Sequence, residues 1–106
     1  MTRVYLSRIK CKEIKDIANS FGEAAKLLIW LGIDGVEIHS YEGYLIYQLA
    51  TSLWNKRNDS YGGSLENGMR FAIEILESIK SVLEENFPVI YRYGSKHFVK
   101  DEKIAL

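Results

Sequence analysis

Two successive units of one design, an amphipathic helical stripe followed by a short β-rich run, limit most strongly what this chain can fold into. In the first, Ile14, Ile17, Ala18, Phe21, Ala24, Ala25 and Leu28 recur at three- and four-residue spacing. That spacing places them on one face of a helix running from about Lys12 to Leu31. Gly32 stands where a helix C-terminus takes a left-handed residue. Only Ile33 and Asp34 separate it from the predicted strand Gly35-Val36-Glu37-Ile38-His39. In the second unit Ser64 is the expected N-cap. Met69, Ala72, Ile75, Leu76, Ile79, Val82 and Leu83 carry the helical period to about Glu85, and Asn86 ends it. Pro88 then opens the predicted strand Val89-Ile90-Tyr91-Arg92-Tyr93.

A helix, a tight loop and a strand form the αβ half of a βαβ unit, so the chain is read as α/β with parallel strands. Between the units lies a long connection, Ser40 to Gly63, with one short helix expected around Leu45–Thr51. A connection of that length in a compact domain is more often functional than filler. The tail from Gly94 to Leu106 is polar and gives no firm structural signal. Two architectures fit the order α-β-loop-α-β, the open doubly wound sheet and the (β/α)8 barrel. A barrel takes about 250 residues, and this chain has 106. It is therefore expected to be a slice of something larger, a single segment over 1–106 with no second domain.

Composition narrows the functional classes. With 14 Lys+Arg against 14 Asp+Glu the formal net charge is zero, which gives no electrostatic reason to expect nucleic acid or an anionic membrane as partner. The longest apolar stretches, such as Leu27–Leu31, fall far short of the roughly 20 residues a membrane helix needs. No secretory leader pattern opens the chain, and the expected compartment is the cytoplasm. Cys11 is the single cysteine, so neither an internal disulfide nor a four-cysteine metal or iron–sulfur site can form within the chain. No metal site is expected.

In both architectures functional groups gather at the C-terminal ends of parallel strands and in the loops that follow. His39 ends the first strand, Glu42 and Tyr44 begin the long loop, and Arg92 lies near the end of the second strand. Alternation puts Glu37 and His39 on one face, with Val36 and Ile38 on the other. The bland reading of an isolated histidine is a structural side chain, and that of Arg92 a surface ion pair. Tyr44 is one of seven tyrosines, but a phenol of pKa about 10 stays protonated at neutral pH and can give a proton to a carbon that has just received hydride. Arg92 is a permanent cation suited to an anionic ring or a phosphate. Gly62-Gly63 lacks the longer glycine pattern of a phosphate cradle and is read as a turn before a cap.

A more specific signal lies in extended motifs. Gly35-Val36-Glu37-Ile38-His39, Glu42-Gly43-Tyr44-Leu45 with Gln48, Asn55-Lys56-Arg57 with Asp59, and Tyr61-Gly62-Gly63-Ser64-Leu65-Glu66-Asn67 with Met69-Arg70-Phe71 resemble the Old Yellow Enzyme family of FMN-containing NAD(P)H:flavin oxidoreductases. The resemblance runs from about Ile14 to Asp101. Tyr91-Arg92-Tyr93-Gly94-Ser95-Lys96-His97-Phe98-Val99-Lys100-Asp101 and Glu42-Gly43-Tyr44 are most similar to the branch of 2-enoate reductases, bile-acid oxidoreductases and 2,4-dienoyl-CoA reductases.

The resemblance implies a (β/α)8 TIM barrel with FMN at its C-terminal face, of which this chain supplies the stretch from helix three to strand five. By the same likeness His39 hydrogen-bonds the substrate's carbonyl or carboxylate oxygen, Tyr44 protonates the substrate α-carbon, Glu42 borders the substrate and Arg92 holds the flavin's pyrimidine edge. It implies NAD(P)H as hydride donor and an enoate or enone as small-molecule substrate. An iron–sulfur cluster and FAD belong only to full-length multidomain relatives. Glu42 stands where many members have a second histidine or an asparagine, and Gly68 replaces a usual arginine. Three readings follow: an ene-reductase segment, a truncated non-catalytic remnant, or an interaction module that self-associates or is completed by a complementing barrel chain.

Overall fold

The computed structural model describes residues 9–40, 45–52, 54–94, 97–98 and 104–105, the last two pairs as backbone only. Helix α1 (Cys11–Trp30) ends in a double hydrogen-bond closure: Gly32 N–H donates to Ile29 O at 3.0 Å and Ile33 N–H to Leu28 O at 3.1 Å. Gly32 takes φ +88° there, a conformation that costs any residue with a Cβ. The chain then enters β1 (Val36–Ser40). The long connection carries α2 (Leu45–Ala50) and leads to α3 (Leu65–Lys80), which delivers the chain to β2 (Val89–Tyr93). Strands β1 and β2 pair in parallel, Val36 opposite Val89 through Ser40 opposite Tyr93.

The order α-β-α-α-β is the one read from the sequence, with two corrections. Helix α3 stops at Lys80 rather than near Glu85. Beyond it the hydrogen bonds tighten to three-residue closures, Val82 N–H to Ile79 O and Leu83 N–H to Lys80 O. Val82 and Leu83 still pack against the core, so the apolar period outlives the helix. Secondly, the tail holds a short antiparallel ladder, β3 (His97–Phe98) with β4 (Ile104–Ala105).

The core lies between the helices and one face of the β1–β2 sheet. Ile14, Ala18 and Ala25 of α1 meet Phe71, Ala72, Ile75 and Ile79 of α3, with Ile38 of β1 beneath them. Each fully buried large apolar side chain contributes on the order of 1.5–3 kcal/mol. Two glycines permit the close approaches. A Cβ on Gly22 would lie 2.3 Å from Ser78 Oγ where α1 meets α3. One on Gly68 would lie 3.0 Å from Leu49 O where α2 ends on α3. Gly68, which costs α3 about 1 kcal/mol of helix propensity, thus lets the short helix seat closely on the long one.

Candidate functional site at the strand ends

Parallel pairing brings the C-terminal ends of β1 and β2 side by side. Val36, Ile38, Val89 and Tyr91 face the helices and pack against the core, so alternation turns Glu37, His39, Ile90 and Arg92 to the opposite face. His39 and Arg92 are direct register partners. Two of the sequence-predicted site residues, 53 positions apart by their numbers (92 − 39), therefore stand on neighbouring strands at the same rung, about 4.8 Å apart across the ladder. Both are exposed, as is Ile90. Tyr44 and Glu42 lie outside the described residues.

Arg92 does not act alone. Its Nε donates to Glu37 Oε1 at 3.2 Å, across the sheet and one residue pair back along β1. Sequence reading placed Glu37 on the His39 face but did not pair it, because the register of two strands more than fifty residues apart is not carried by local periodicity. Arg92 fits the edge of an anionic or carbonyl-bearing ring: its side chain is 60% exposed, and with Nε engaged its two terminal amino groups remain as donors.

The long connection is held behind this end by a knot of directed polar contacts. Asn55 Nδ2 donates to Leu49 O and to Tyr61 O, both at 2.7 Å, while its Oδ1 accepts from Arg57 N–H at 2.9 Å. Arg57 forks onto Asp59 through Nε at 3.1 Å and Nη2 at 2.5 Å, and its Nη1 reaches Ile9 O at 2.6 Å. Asp59 Oδ1 also accepts from Tyr61 N–H at 3.0 Å. Asn67 Nδ2 donates to Gly62 O at 2.9 Å, and Arg70 Nε to Ser60 O at 2.7 Å. The Tyr61 hydroxyl, fully buried with its ring, donates to Glu74 Oε1 at 2.6 Å, and burial first, then that bond, push its pKa up. Gly62 admits the crossing: a Cβ there would sit 2.4 Å from Arg57 O. Gly63 turns at φ +90° and Ser64 caps α3 through Asn67 N–H at 3.1 Å, the turn and cap expected from sequence. The Asn55 to Phe71 motif therefore builds and locks the loop rather than presenting reactive groups. A cleft of about 370 Å³ beside it, lined by Ser52, Lys56, Gly63 and Leu65, has its cations engaged, Lys56 Nζ with Ser52 O and Arg57 with Asp59.

The knot predicts a pH dependence. The hydrogen bonds and charge of Arg57 hold the Asp59 carboxyl below the ordinary carboxylate range, against a smaller opposing effect of burial. A depressed folded-state pKa contributes stability that is complete above the unfolded value and lost as pH falls through the folded one. The urea midpoint should therefore fall below about pH 4 in the wild type, and fall less steeply in Asp59→Asn, which starts lower. Parallel pH profiles for the two proteins would remove Asp59 from this role.

A family model described as NADH:flavin oxidoreductase / NADH oxidase matches residues 1–106. The chain is 46% identical over 103 residues to cinnamate reductase of Clostridium sporogenes, a match covering 92% of this chain and 16% of that protein. It is 42% identical over 86 residues to NADPH dehydrogenase of Clostridium acetobutylicum, covering 81% of this chain and 25% of that one. Among solved structures, 2-naphthoyl-CoA reductase in complex with 2-naphthoyl-CoA superposes with a TM-score of 0.77 at 37% identity, over 79% of this chain and 13% of that chain. The chain thus spans between about an eighth and a quarter of the proteins it matches. Among the described residues no helix is long and apolar enough to cross a membrane.

Proposed function

Because the chain belongs to the NADH:flavin oxidoreductase / NADH oxidase family, the Old Yellow Enzyme family, and its fold is a piece of that family's (β/α)8 barrel, we propose that it forms the strand-four to strand-five sector of an FMN-dependent reductase of activated C=C bonds. The observation that carries this reading is the pairing of His39 with Arg92 at the C-terminal strand ends, on the sheet face turned away from the helices. In a closed barrel that face is the lumen and those ends are its functional rim.

FMN, when bound, would supply hydride taken from NAD(P)H. Arg92 would hold the pyrimidine edge of the ring, its fixed charge favouring the electron-rich form. His39, one strand away, would donate to the carbonyl or carboxylate oxygen of an enoate or enone and draw charge from the alkene. Tyr44, five residues on from His39, would give its phenolic proton to the carbon beside that carbonyl, a task that suits an acid protonated at neutral pH. Glu42 would border the substrate on the same loop. A second reading, association with a chain that completes the barrel, is favoured by the sheet itself: among the described residues β1 and β2 pair only with each other, and uncovered strand edges recruit further strands.

His39→Ala tests the substrate assignment. In a barrel completed by the remaining family strands, it should weaken binding of carboxylate or phenolic ligands by roughly 10- to 150-fold, the equivalent of a lost hydrogen bond to a charged group of about 1.5–3 kcal/mol. FMN affinity should change far less. Titration at the flavin absorption band reads both, and an unchanged ligand dissociation constant would make His39 a structural side chain.

A further inference from the structure

We propose that Glu37 is a positioning residue for Arg92: it fixes the guanidinium by its Nε edge and offsets part of its charge, so that the terminal amino groups are the donors left for the ring. This rests on the assignment of Arg92 to the flavin ring.

The geometry is specific. Glu37 and His39 share the face of β1 turned from the helices, and Ile90 and Arg92 share that face of β2. The register partner of Glu37 is Ile90, which offers no polar group, and that of His39 is Arg92. Arg92 nevertheless bonds diagonally, Nε to Glu37 Oε1 at 3.2 Å. With strands about 4.8 Å apart and a two-residue offset at about 3.3 Å per residue, diagonal neighbours lie about 8 Å apart at their Cα atoms, within reach of two long side chains. The contact therefore draws the guanidinium back along the strand and uses the one donor on its stem side, leaving four donors on the two terminal nitrogens.

Stability does not explain the pair. Its side chains are 60% and 45% exposed, and exposed pairs contribute little, with a median of about 0–1 kcal/mol. Orientation and charge are what remain. A lone arginine beside a flavin favours the added electrons. A carboxylate on its Nε reduces that effect, and the more so inside a closed barrel, where screening by water is weaker.

The test uses this chain within a flavin-loaded family barrel, comparing Glu37→Gln, Glu37→Ala and Arg92→Ala. Glutamine keeps an acceptor for Nε but removes the charge, and alanine removes both. Both Glu37 variants should shift the flavin midpoint potential to more positive values, and Glu37→Ala should also raise the FMN dissociation constant severalfold. Arg92→Ala should shift the potential the other way. An unshifted potential in both Glu37 variants, with Arg92→Ala still lowering it, would overturn the positioning role alone. No shift in Arg92→Ala would overturn the flavin assignment on which it rests. The pair itself is read in the chain by nitrogen–proton NMR. The Arg92 Nε–H resonance should move in Glu37→Ala while the backbone amides of Val89–Tyr93 keep their positions, and an unmoved resonance would show that the contact does not exist.

Discussion

Tyr44→Phe, with the chain in a complete family barrel, should slow alkene reduction by about 10²–10⁴ and leave flavin reduction by NAD(P)H nearly unchanged. The asymmetry follows from the chemistry of a phenol. It has no part in passing hydride from the nicotinamide to the ring. It enters only when the substrate, having accepted hydride at its β-carbon, needs a proton at the α-carbon. In sequence Tyr44 falls between Ser40, where β1 ends beside the His39–Arg92 rung, and Leu45, where α2 begins. Phenylalanine keeps the ring and deletes the acid alone. Stopped-flow traces of the two half-reactions decide the matter. Equal slowing of both would point to a distorted site and remove Tyr44 from the role of acid.

Asn55→Ala should cost stability on the order of 3 kcal/mol or more, a large part of the 5–15 kcal/mol that holds a typical domain. Three backbone groups lose their partner at once: Leu49 O, Tyr61 O and Arg57 N–H. Leu49 and Tyr61 are buried, and a buried polar group left unpaired costs about 1–3 kcal/mol. Asn55→Asp should be no milder, since it keeps the acceptor for Arg57 N–H but presents a carboxylate to two carbonyl oxygens. Urea unfolding followed by circular dichroism measures both. A loss under 1 kcal/mol in Asn55→Ala would mean that water replaces the amide and that the knot does not hold the loop.

Local signals are legible in the residues, and pairings between distant segments are not. Helix α1, both main strands and the turn at Gly63 were legible because their signals are local: a 3.6-residue stripe, a glycine at a positive φ, a serine cap. The end of α3 was misplaced because Val82 and Leu83 keep contributing to the core after the backbone has left the helix. The β3–β4 ladder left no mark because two-residue strands in a polar tail have no period to read. His39 and Arg92 could be chosen by the rule that strand ends carry function. The partnership of Arg92 with Glu37 could not, since it depends on a register between distant strands. The Asn55-to-Phe71 motif identified the family more clearly than any other, yet its side chains are spent on backbone carbonyls and on each other. A motif can be diagnostic because a loop must be held, as well as because a reaction must be run.

The proposed function makes this segment the flavin-facing sector of a family barrel. It is tested most directly by replacing the strand-four to strand-five stretch of a complete family barrel with this chain and measuring flavin absorbance per folded barrel. One FMN per barrel is expected, lost or weakened in Arg92→Ala. A folded barrel that carries no flavin, or one whose flavin is indifferent to Arg92, would contradict it.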